Sequence, residues 1–280
     1  MLDASPTLAH TPATSCAVTV HRWRDGDVER VVDQVAEELP VALVFNGVPH
    51  VVMLATPANL EDLAVGFTLS ESIVDSPKEI VSVEAAPRED GTLEVRIGIT
   101  ASKLSELLRR QRNLTGRTGC GLCGAQTVED AIRQPAPVQG GVHVDVKSLH
   151  RALLELRDHQ EINSRTGSVH AAAWVMPDSG IRLVREDVGR HNALDKVIGA
   201  VVRAGGDFKY GYFVVTSRAS YEMVQKAVTV GGTLLAAVSA PTAFAIRMAE
   251  TAGLTLIGFA REHQHVIYAH PSRLICTSTT

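Results

Sequence analysis

The second half of the chain alternates short apolar runs with segments in which apolar residues recur at helical spacing. Strands that alternate with helices in this way predict right-handed crossovers and a largely parallel sheet that is covered on both faces. The predicted strands are residues 169–176, 181–186, 210–216, 233–238 and 254–260, and the predicted helices are residues 150–158, 192–204, 220–230 and 242–252. This half is therefore predicted to be an α/β domain.

The first half combines strands and helices in a less regular order. Apolar residues 41–45 and 51–55 flank Asn46-Gly47, a pair that readily adopts the positive φ angles of a tight hairpin turn. Thr56-Pro57 then offers an N-cap and a first-turn proline to the helix that follows. The remaining elements are predicted as helices at residues 59–72 and 102–112 and strands at residues 80–85 and 93–99. This half is predicted to be a smaller α+β domain.

Composition shifts divide the chain further. Residues 1–15 lack the basic start and long apolar run of a signal peptide, which favours a disordered tail. Proline and glycine are dense at residues 134–141, as in a linker or a long surface loop. The predicted units are the tail at residues 1–15, the N-terminal domain at 16–118, a cysteine loop and linker at 119–141, and the C-terminal domain at 142–280.

The overall charge and the cysteine content narrow the function classes. The 280-residue chain has a formal net charge of -4, so it lacks the basic footprint of a general nucleic-acid-binding protein. Its four cysteines are too few for a disulfide framework, which favours a cytoplasmic protein. The uncharged stretch at residues 228–246 has the length of a membrane span, but glycines and a proline divide it into a helix end, a strand and a helix start.

Cys120 and Cys123 form a C-x-x-C pair with glycine on both sides, at positions 119, 121 and 124. Glycine leaves the backbone free to move and to approach a partner closely. Arginines precede the pair at positions 109, 110, 112 and 117, and nearby positive charge favours the reactive thiolate. The segment is therefore predicted to be a nucleophilic thiol loop beside a site for anions.

Three chemistries fit a C-x-x-C pair. A structural zinc site needs four ligands, so His143 or His170 would have to be recruited from a distance, and the H-x-E and P-C-x-x-C strings of zinc deaminases are absent from the sequence. A thioredoxin-like redox role is the second, although the strand–helix setting typical of it is missing. The third is sulfur relay, in which a thiolate accepts sulfane sulfur and holds it as a persulfide. We predict no resident metal.

Polar groups follow three predicted strands of the second half, at residues 216–218, 239–242 and 259–264. Ligands of open α/β sheets bind beyond the carboxyl ends of the strands, and arginines there, such as Arg218 and Arg261, match phosphate oxygens. Arg190 and His191 lie at the predicted start of another helix, where an anion can bind. Asn192 is a candidate cap of that helix, and His170 is interpreted as a structural histidine.

With these residues in view, the sequence from about Val41 to Tyr268 resembles the formate dehydrogenase accessory sulfurtransferase family. The motifs that carry the resemblance are TPANLEDLAVGFTLSES, CGLCG, TGSVHAA, EDVGRHNALDKVIG, TSRASYEMVQKA, SAPT and LTLIGFAR. Two positions depart from the family pattern, namely Ser217, where glycine is usual, and residues 262–264, which are often basic and contain glycine.

The resemblance implies a cytoplasmic sulfurtransferase with Cys120 as the persulfide cysteine and Cys123 assisting or alternating with it. It implies that sulfur comes from a cysteine desulfurase and passes to the molybdenum bis(molybdopterin guanine dinucleotide) cofactor of formate dehydrogenase. It also implies a cytidine-deaminase-like C-terminal domain without the deaminase zinc site, and a homodimer without nucleic-acid or membrane partners. The expected cofactor-binding residues are Phe259, Ala260, Arg261, Glu262, His263, Gln264, Arg218 and Arg190. The competing interpretation is a non-catalytic chaperone that binds and inserts the cofactor.

Overall fold

The computed structural model describes residues 12–88, 90–112 and 134–275 and shows a mixed α/β protein. The first half contains β1 (Ser15–Arg24), β2 (Asp27–Ala36), β3 (Leu39–Phe45), β4 (Val48–Ala55), α1 (Leu60–Ser70), β5 (Ile80–Pro87), β6 (Leu93–Ile99) and α2 (Ala101–Arg112). The second half contains β7 (Val144–Asp145), α3 (Val146–Asp158), α4 (Glu161–Thr166), β8 (His170–Met176), β9 (Gly180–Asp187), α5 (Arg190–Arg203), β10 (Tyr212–Val215), α6 (Tyr221–Thr229), β11 (Leu234–Ala237), α7 (Ala243–Ala252), β12 (Thr255–Arg261), β13 (Gln264–Ala269) and β14 (Leu274–Ile275).

The first half is built on a four-stranded sheet in the order β4-β3-β6-β5. The predicted hairpin of β3 and β4 is confirmed, with Asn46 and Gly47 at φ 48° and 82°. The predicted N-cap was wrong: the cap of α1 is Asn59, while the Thr56 hydroxyl accepts a hydrogen bond from the backbone N–H of Val188 at 3.1 Å. Leu43, Leu63 and the other inward apolar side chains form a core between this sheet and α1.

The second half is built on a six-stranded sheet in the order β13-β12-β11-β10-β8-β9. Only the neighbouring pairs β10–β11 and β11–β12 are parallel, whereas β8, β9 and β13 are joined to the sheet through antiparallel pairs. The prediction of a largely parallel sheet was therefore wrong, although its covering on both faces is confirmed. One core lies on the side of α5, α6 and α7, and another lies on the side of α3.

Helices α1 and α5 cross at glycines and join the two halves. A Cβ on Gly66 would collide with the backbone carbonyl of Asp195, and one on Gly199 would collide with that of Asp62. Ion pairs flank the crossing, with the Asp62 carboxylate bound to Arg185 at 2.8 Å and to Arg203 at 2.5 Å. Glycine is needed at both positions because only hydrogen fits between the two backbones.

Two further features complete the architecture. β1 and β2 form a separate two-stranded sheet that the apolar pattern did not predict. The stretch at residues 228–246 divides into the end of α6, β11 and the start of α7, as the sequence predicts. Among the described residues, no helix combines the length and apolar content needed to cross a bilayer.

Candidate functional site

The carboxyl ends of β10, β11 and β12 meet at one edge of the six-stranded sheet, which we call the carboxyl edge. The antiparallel strands bring two further segments to the same edge, since β9 ends and β8 begins there. Residues after β10 and β11 are tied together by a bridge between Ala219 and Pro241. The polar segments singled out in the sequence therefore come together in space.

A cleft of about 820 Å³ opens at the carboxyl edge on the face covered by α3. Five consecutive members of the predicted binding segment line it, namely residues 260–264. Thr216 and Val238 line it from the neighbouring strand ends, and the Thr216 hydroxyl is fixed by the backbone N–H of Ala171 at 2.9 Å. Arg157 and Arg261 make the lining suitable for an anion.

Phe259, the sixth residue of that segment, is not among the residues that line the cleft. It is exposed and has φ 49°, in the left-handed region that a bulky residue rarely adopts. The strand pairing of β12 with β13 shifts its register between Gly258 and Arg261, so Phe259 lies in an irregular turn of backbone. This irregularity re-aims the residues that follow it, as bulges near functional sites do.

Sequence reasoning missed the wall formed by α3 and α4. The cleft is also lined by Leu153, Leu154, Leu156, Arg157, Gln160, Asn163 and Ser164. The Glu186 carboxylate fixes this wall, because it accepts hydrogen bonds of 2.8 Å from the backbone N–H groups of Ile162 and Asn163 at the start of α4. The six-residue helix α4 has too short an apolar pattern to be recognised in the sequence.

A buried carboxylate organises the start of α5. Asp187 is fully buried and accepts hydrogen bonds from the backbone N–H groups of Thr56 at 3.1 Å and Gly189 at 2.8 Å. It also pairs with the buried ammonium of Lys196 at 2.6 Å. Asn192 does not cap α5 as predicted: its amide donates to Asp187 at 3.0 Å, and the N-cap is Gly189.

Unpartnered polar atoms surround this helix start. Within the described part of the chain, Arg190 Nε, His191 Nε2 and Ser220 Oγ are buried without a hydrogen-bond partner. Burial, followed by the charge of Arg190, lowers the pKa of His191 to about 4, and Glu222 opposes the shift. His191 is therefore neutral near pH 7, and Arg190 supplies the positive charge at this helix start.

The structure places the other two named residues nearby. Arg218 is exposed in the segment after β10. His170 is the first residue of β8, where burial and then Arg190 lower its pKa. Neither residue lines the cleft described above.

Cys120 and Cys123 lie outside the described residues, as does Arg117, but the chain on either side of them is described. Arg110 on α2 donates a hydrogen bond of 2.8 Å to the Ser72 carbonyl, and Ser72 lines a second cavity together with Gln134. That cavity also contacts the end of α6, and Val138 donates to the carbonyl of Ala252 at the end of α7. Both flanks therefore lie at the amino edge of the parallel strands, opposite the cleft.

Ordinary metal sites need several ligands from one neighbourhood. Across residues 12–88, 90–112 and 134–275, histidine, cysteine, aspartate and glutamate nowhere gather in a group of three or more that could hold a metal ion.

The sequence of the chain is similar to those of known proteins. The family model described as "FdhD/NarQ family" matches residues 36–275. A protein of Cupriavidus necator named "Sulfur carrier protein FdhD" is 51% identical over 263 residues, which cover 94% of this chain and 91% of that protein. A protein of the same name from Xanthomonas axonopodis pv. citri is 50% identical over 270 residues, covering 96% of each chain.

A solved structure shares the fold. The crystal structure of "a putative formate dehydrogenase accessory protein from Desulfotalea psychrophila" aligns with a TM-score of 0.75 over 94% of this chain and 100% of that one. The sequence identity is 19%, so this likeness concerns the fold alone.

Proposed function

This chain belongs to the FdhD/NarQ family, and from that premise we propose that it is a cytoplasmic sulfur carrier acting as a sulfurtransferase. Its donor is a cysteine desulfurase, and its acceptor is the molybdenum bis(molybdopterin guanine dinucleotide) cofactor destined for formate dehydrogenase. The observation that carries the proposal is the pairing of a C-x-x-C motif with an anion-suited cleft at the ends of three parallel strands.

The chemistry is two exchanges at sulfur. The Cys120 thiolate attacks the terminal sulfur of the desulfurase persulfide, the S–S bond breaks, and the desulfurase thiolate leaves. Delivery follows when the Cys123 thiolate attacks the inner sulfur of the Cys120 persulfide and hydrosulfide departs to the acceptor. The Cys120–Cys123 disulfide that remains is reopened by a cellular dithiol, so electrons balance over the cycle.

The acceptor is bound as substrate at the carboxyl edge. A cleft of about 820 Å³ suits a single nucleotide-sized part of a dinucleotide cofactor rather than the whole of it. Arg157 and Arg261 face that part, while Arg190 and Arg218 lie at the same edge for the remaining phosphates. Residues 259–264 supply the turn that shapes the cleft.

Because the flanks of the cysteine segment and the cleft lie at opposite edges of the sheet, loading and delivery are separable steps. Loading requires Cys120 and not the cleft. Delivery requires both, which gives the experiment two independent readouts.

The test measures intact mass after incubation with a cysteine desulfurase and cysteine, followed by affinity for GDP as a probe of the nucleotide part. We expect a reducible gain of about one sulfur atom that is lost in Cys120→Ala. Arg261→Gln keeps that gain and weakens GDP binding about tenfold, as loss of one charge-assisted contact does. Arg182→Gln, a change at an exposed arginine of β9, is the control that leaves both readouts unchanged.

No gain in mass while the desulfurase turns over would reject sulfur transfer. If GDP binding persisted in that case, the protein would instead be a chaperone that binds and inserts the cofactor. That alternative is favoured by one observation, namely that the described lining of the cleft already includes two arginines suited to an anion, Arg157 and Arg261.

A further inference from the structure

Two histidines form a hydrogen bond beside the cleft. His150 Nε2 on α3 lies 3.0 Å from His265 Nδ1 on β13, and the two residues are 115 positions apart in the sequence. Their ring centroids are 5.2 Å apart with an interplanar angle of 64°, so the rings meet edge-on. Both side chains are half-buried. The pair therefore joins two elements from distant parts of the chain.

The pair lies next to the place where β12 and β13 line the cleft. We call residues 261–264, which connect these two strands and all line the cleft, the hairpin tip. On the opposite wall, Leu154 and Arg157 follow His150 by one and two turns of α3 and also line the cleft. Since His265 directly follows the hairpin tip, its hydrogen bond to His150 connects the two walls of the cleft.

Backbone pairing gives the hairpin tip little support. All four of its residues are exposed. The pairing of β12 with β13 is irregular between Gly258 and Arg261, and one register pair, Arg261 with Gln264, follows this irregularity. His265 is the first half-buried residue after the tip, and it shares a face of β13 with Ile267, which packs in the core beside α3. The contact of His265 with α3 is therefore placed to hold the tip.

The hydrogen bond depends on the protonation of both rings. A neutral imidazole has one N–H donor and one acceptor nitrogen, so two neutral rings can form the bond, and so can one neutral ring with one protonated ring. When both rings are protonated, both facing nitrogens are donors and both rings are positive. The bond is then lost, and two like charges repel each other at hydrogen-bond distance.

The surroundings of the pair disfavour protonation of both rings. Burial lowers the pKa of both rings below 6.5, and the charge of His263 adds to the shift of His150, as that of His150 adds to the shift of His265. Helix α7 contacts β13 from the opposite face of the sheet, so its charges do not face the pair. The other charged groups on the facing side of α3 and in the hairpin tip are Lys147, Arg157, Arg261 and Glu262. Both rings are therefore neutral at about pH 7.5, and the second proton binds only in acid.

We propose that the hydrogen bond between His150 and His265 is a pH-dependent contact that holds the hairpin tip against α3 and so fixes the width of the cleft. At neutral pH the contact is made and the two walls of the cleft are held together. Protonation of both rings breaks the contact and releases the tip. The contact needs neither cysteine and no bound nucleotide, so this inference goes beyond the proposed function and does not depend on it.

Hydrogen–deuterium exchange of the full chain, read by mass spectrometry in peptides that contain the hairpin tip, tests the proposal. Exchange is compared at about pH 7.5 and about pH 5, on either side of the usual histidine range, with labelling times scaled for the intrinsic pH dependence of amide exchange. The net contribution of one hydrogen bond corresponds to roughly a two- to tenfold change in an opening equilibrium. We expect the scaled exchange of the wild-type tip to rise by about that factor in acid.

The variant His150→Gln separates titration from packing. A carboxamide donates and accepts hydrogen bonds without binding a proton, so we expect the tip of this variant to exchange slowly at both pH values. His150→Ala lacks the contact, and its tip is expected to exchange as fast at neutral pH as that of the wild type does in acid. His159→Gln, at an exposed histidine that ends the same helix, is the matched control and follows the wild type.

Three results would each overturn the proposal. They are a wild-type tip that is already unprotected at neutral pH, a wild-type tip whose scaled exchange does not change with pH, and a His150→Gln tip that accelerates in acid like the wild type. Circular dichroism checks that the variants are folded, and His150→Gln decides the matter even where His150→Ala does not fold. Sulfur loading on Cys120 is measured separately by mass, so failure here is distinguishable from failure of the proposed function.

Discussion

His191 lies at the start of α5 with Glu222 3.8 Å away and Arg190 beside it. Its imidazole titrates near pH 6.5 in the unfolded chain and near pH 4 in the folded protein, because burial and Arg190 disfavour the charged form. Between these values the unfolded chain binds more protons, so stability rises with pH. Below about pH 4 both states are protonated and the dependence ends.

We expect the free energy of unfolding in urea to increase between pH 4 and pH 6.5, and His191→Gln to flatten that increase. The pKa difference corresponds to about 3 kcal/mol as an upper limit. Since the side chain is 34% exposed, solvent screening reduces the expected effect to about 1 kcal/mol. His159→Gln, at an exposed histidine, serves as the control, and an equal slope in both variants would contradict the assignment.

The sequence predicted some of the residues at the candidate site and missed others. Residues 260–264 and Thr216 were found because parallel strands deliver their carboxyl ends to one edge, a rule that needs no side-chain detail. Asn163 and Ser164 were missed because their position depends on Glu186, which caps α4 from 23 residues away along the chain. The orientation of Phe259 depends on a register shift that apolar alternation does not record. The binding roles of all these residues stay predictions.

At the scale of elements, the contact of Asp187 with Lys196 holds the start of α5 against the turn before α1. Removing one member of a fully buried pair leaves the other charge buried and unpaired, which lowers the free energy of unfolding by about 3–5 kcal/mol. We expect Asp187→Asn and Lys196→Met each to lower the urea-unfolding free energy by about that amount, and the double variant to lower it by clearly less than the two together.

The comparison is the exposed ion pair of Arg22 on β1 and Glu29 on β2, whose guanidinium and carboxylate are 3.7 Å apart. The coupling between Arg22→Met and Glu29→Gln is expected to stay below about 1 kcal/mol. Additive losses at Asp187 and Lys196 would show that the buried pair does not act as a unit.

Most helices and strands with long apolar periodicity were predicted to within a few residues. The hairpin of β1 and β2 was not predicted, and neither were the relative directions of the strands in the six-stranded sheet. β1 and β2 alternate apolar and charged residues on either side of Asp25-Gly26, and this pair is a hairpin-turn signal that can be read from the sequence. Charges at Arg22, Arg24 and Glu29 obscured it because neither face resembles a buried one. The antiparallel pairing of β8 with β10 depends on how the two strands are placed in three dimensions, which the local pattern of apolar residues does not specify.

At the scale of the whole molecule, the candidate cleft and the described flanks of the cysteine segment lie at opposite ends of the parallel strands. The cleft lies where β10, β11 and β12 end, and the described flanks of the cysteine segment lie where those strands begin. The mixed α/β architecture with its four-stranded and six-stranded sheets is established, while the cytidine-deaminase likeness and the domain boundaries stay predictions.

The glycine crossing of α1 and α5 has a thermal consequence. Two sheets with separate cores would ordinarily melt in two steps, but backbones in direct contact at Gly66 and Gly199 leave neither half a complete surface of its own. We expect calorimetry to show one heat-absorption peak whose van't Hoff and calorimetric enthalpies agree. Gly66→Ala is expected to move that single peak to lower temperature without splitting it, because forcing a methyl group into such a contact costs about 1–3 kcal/mol. Two resolved peaks would show that each half keeps its own folding equilibrium.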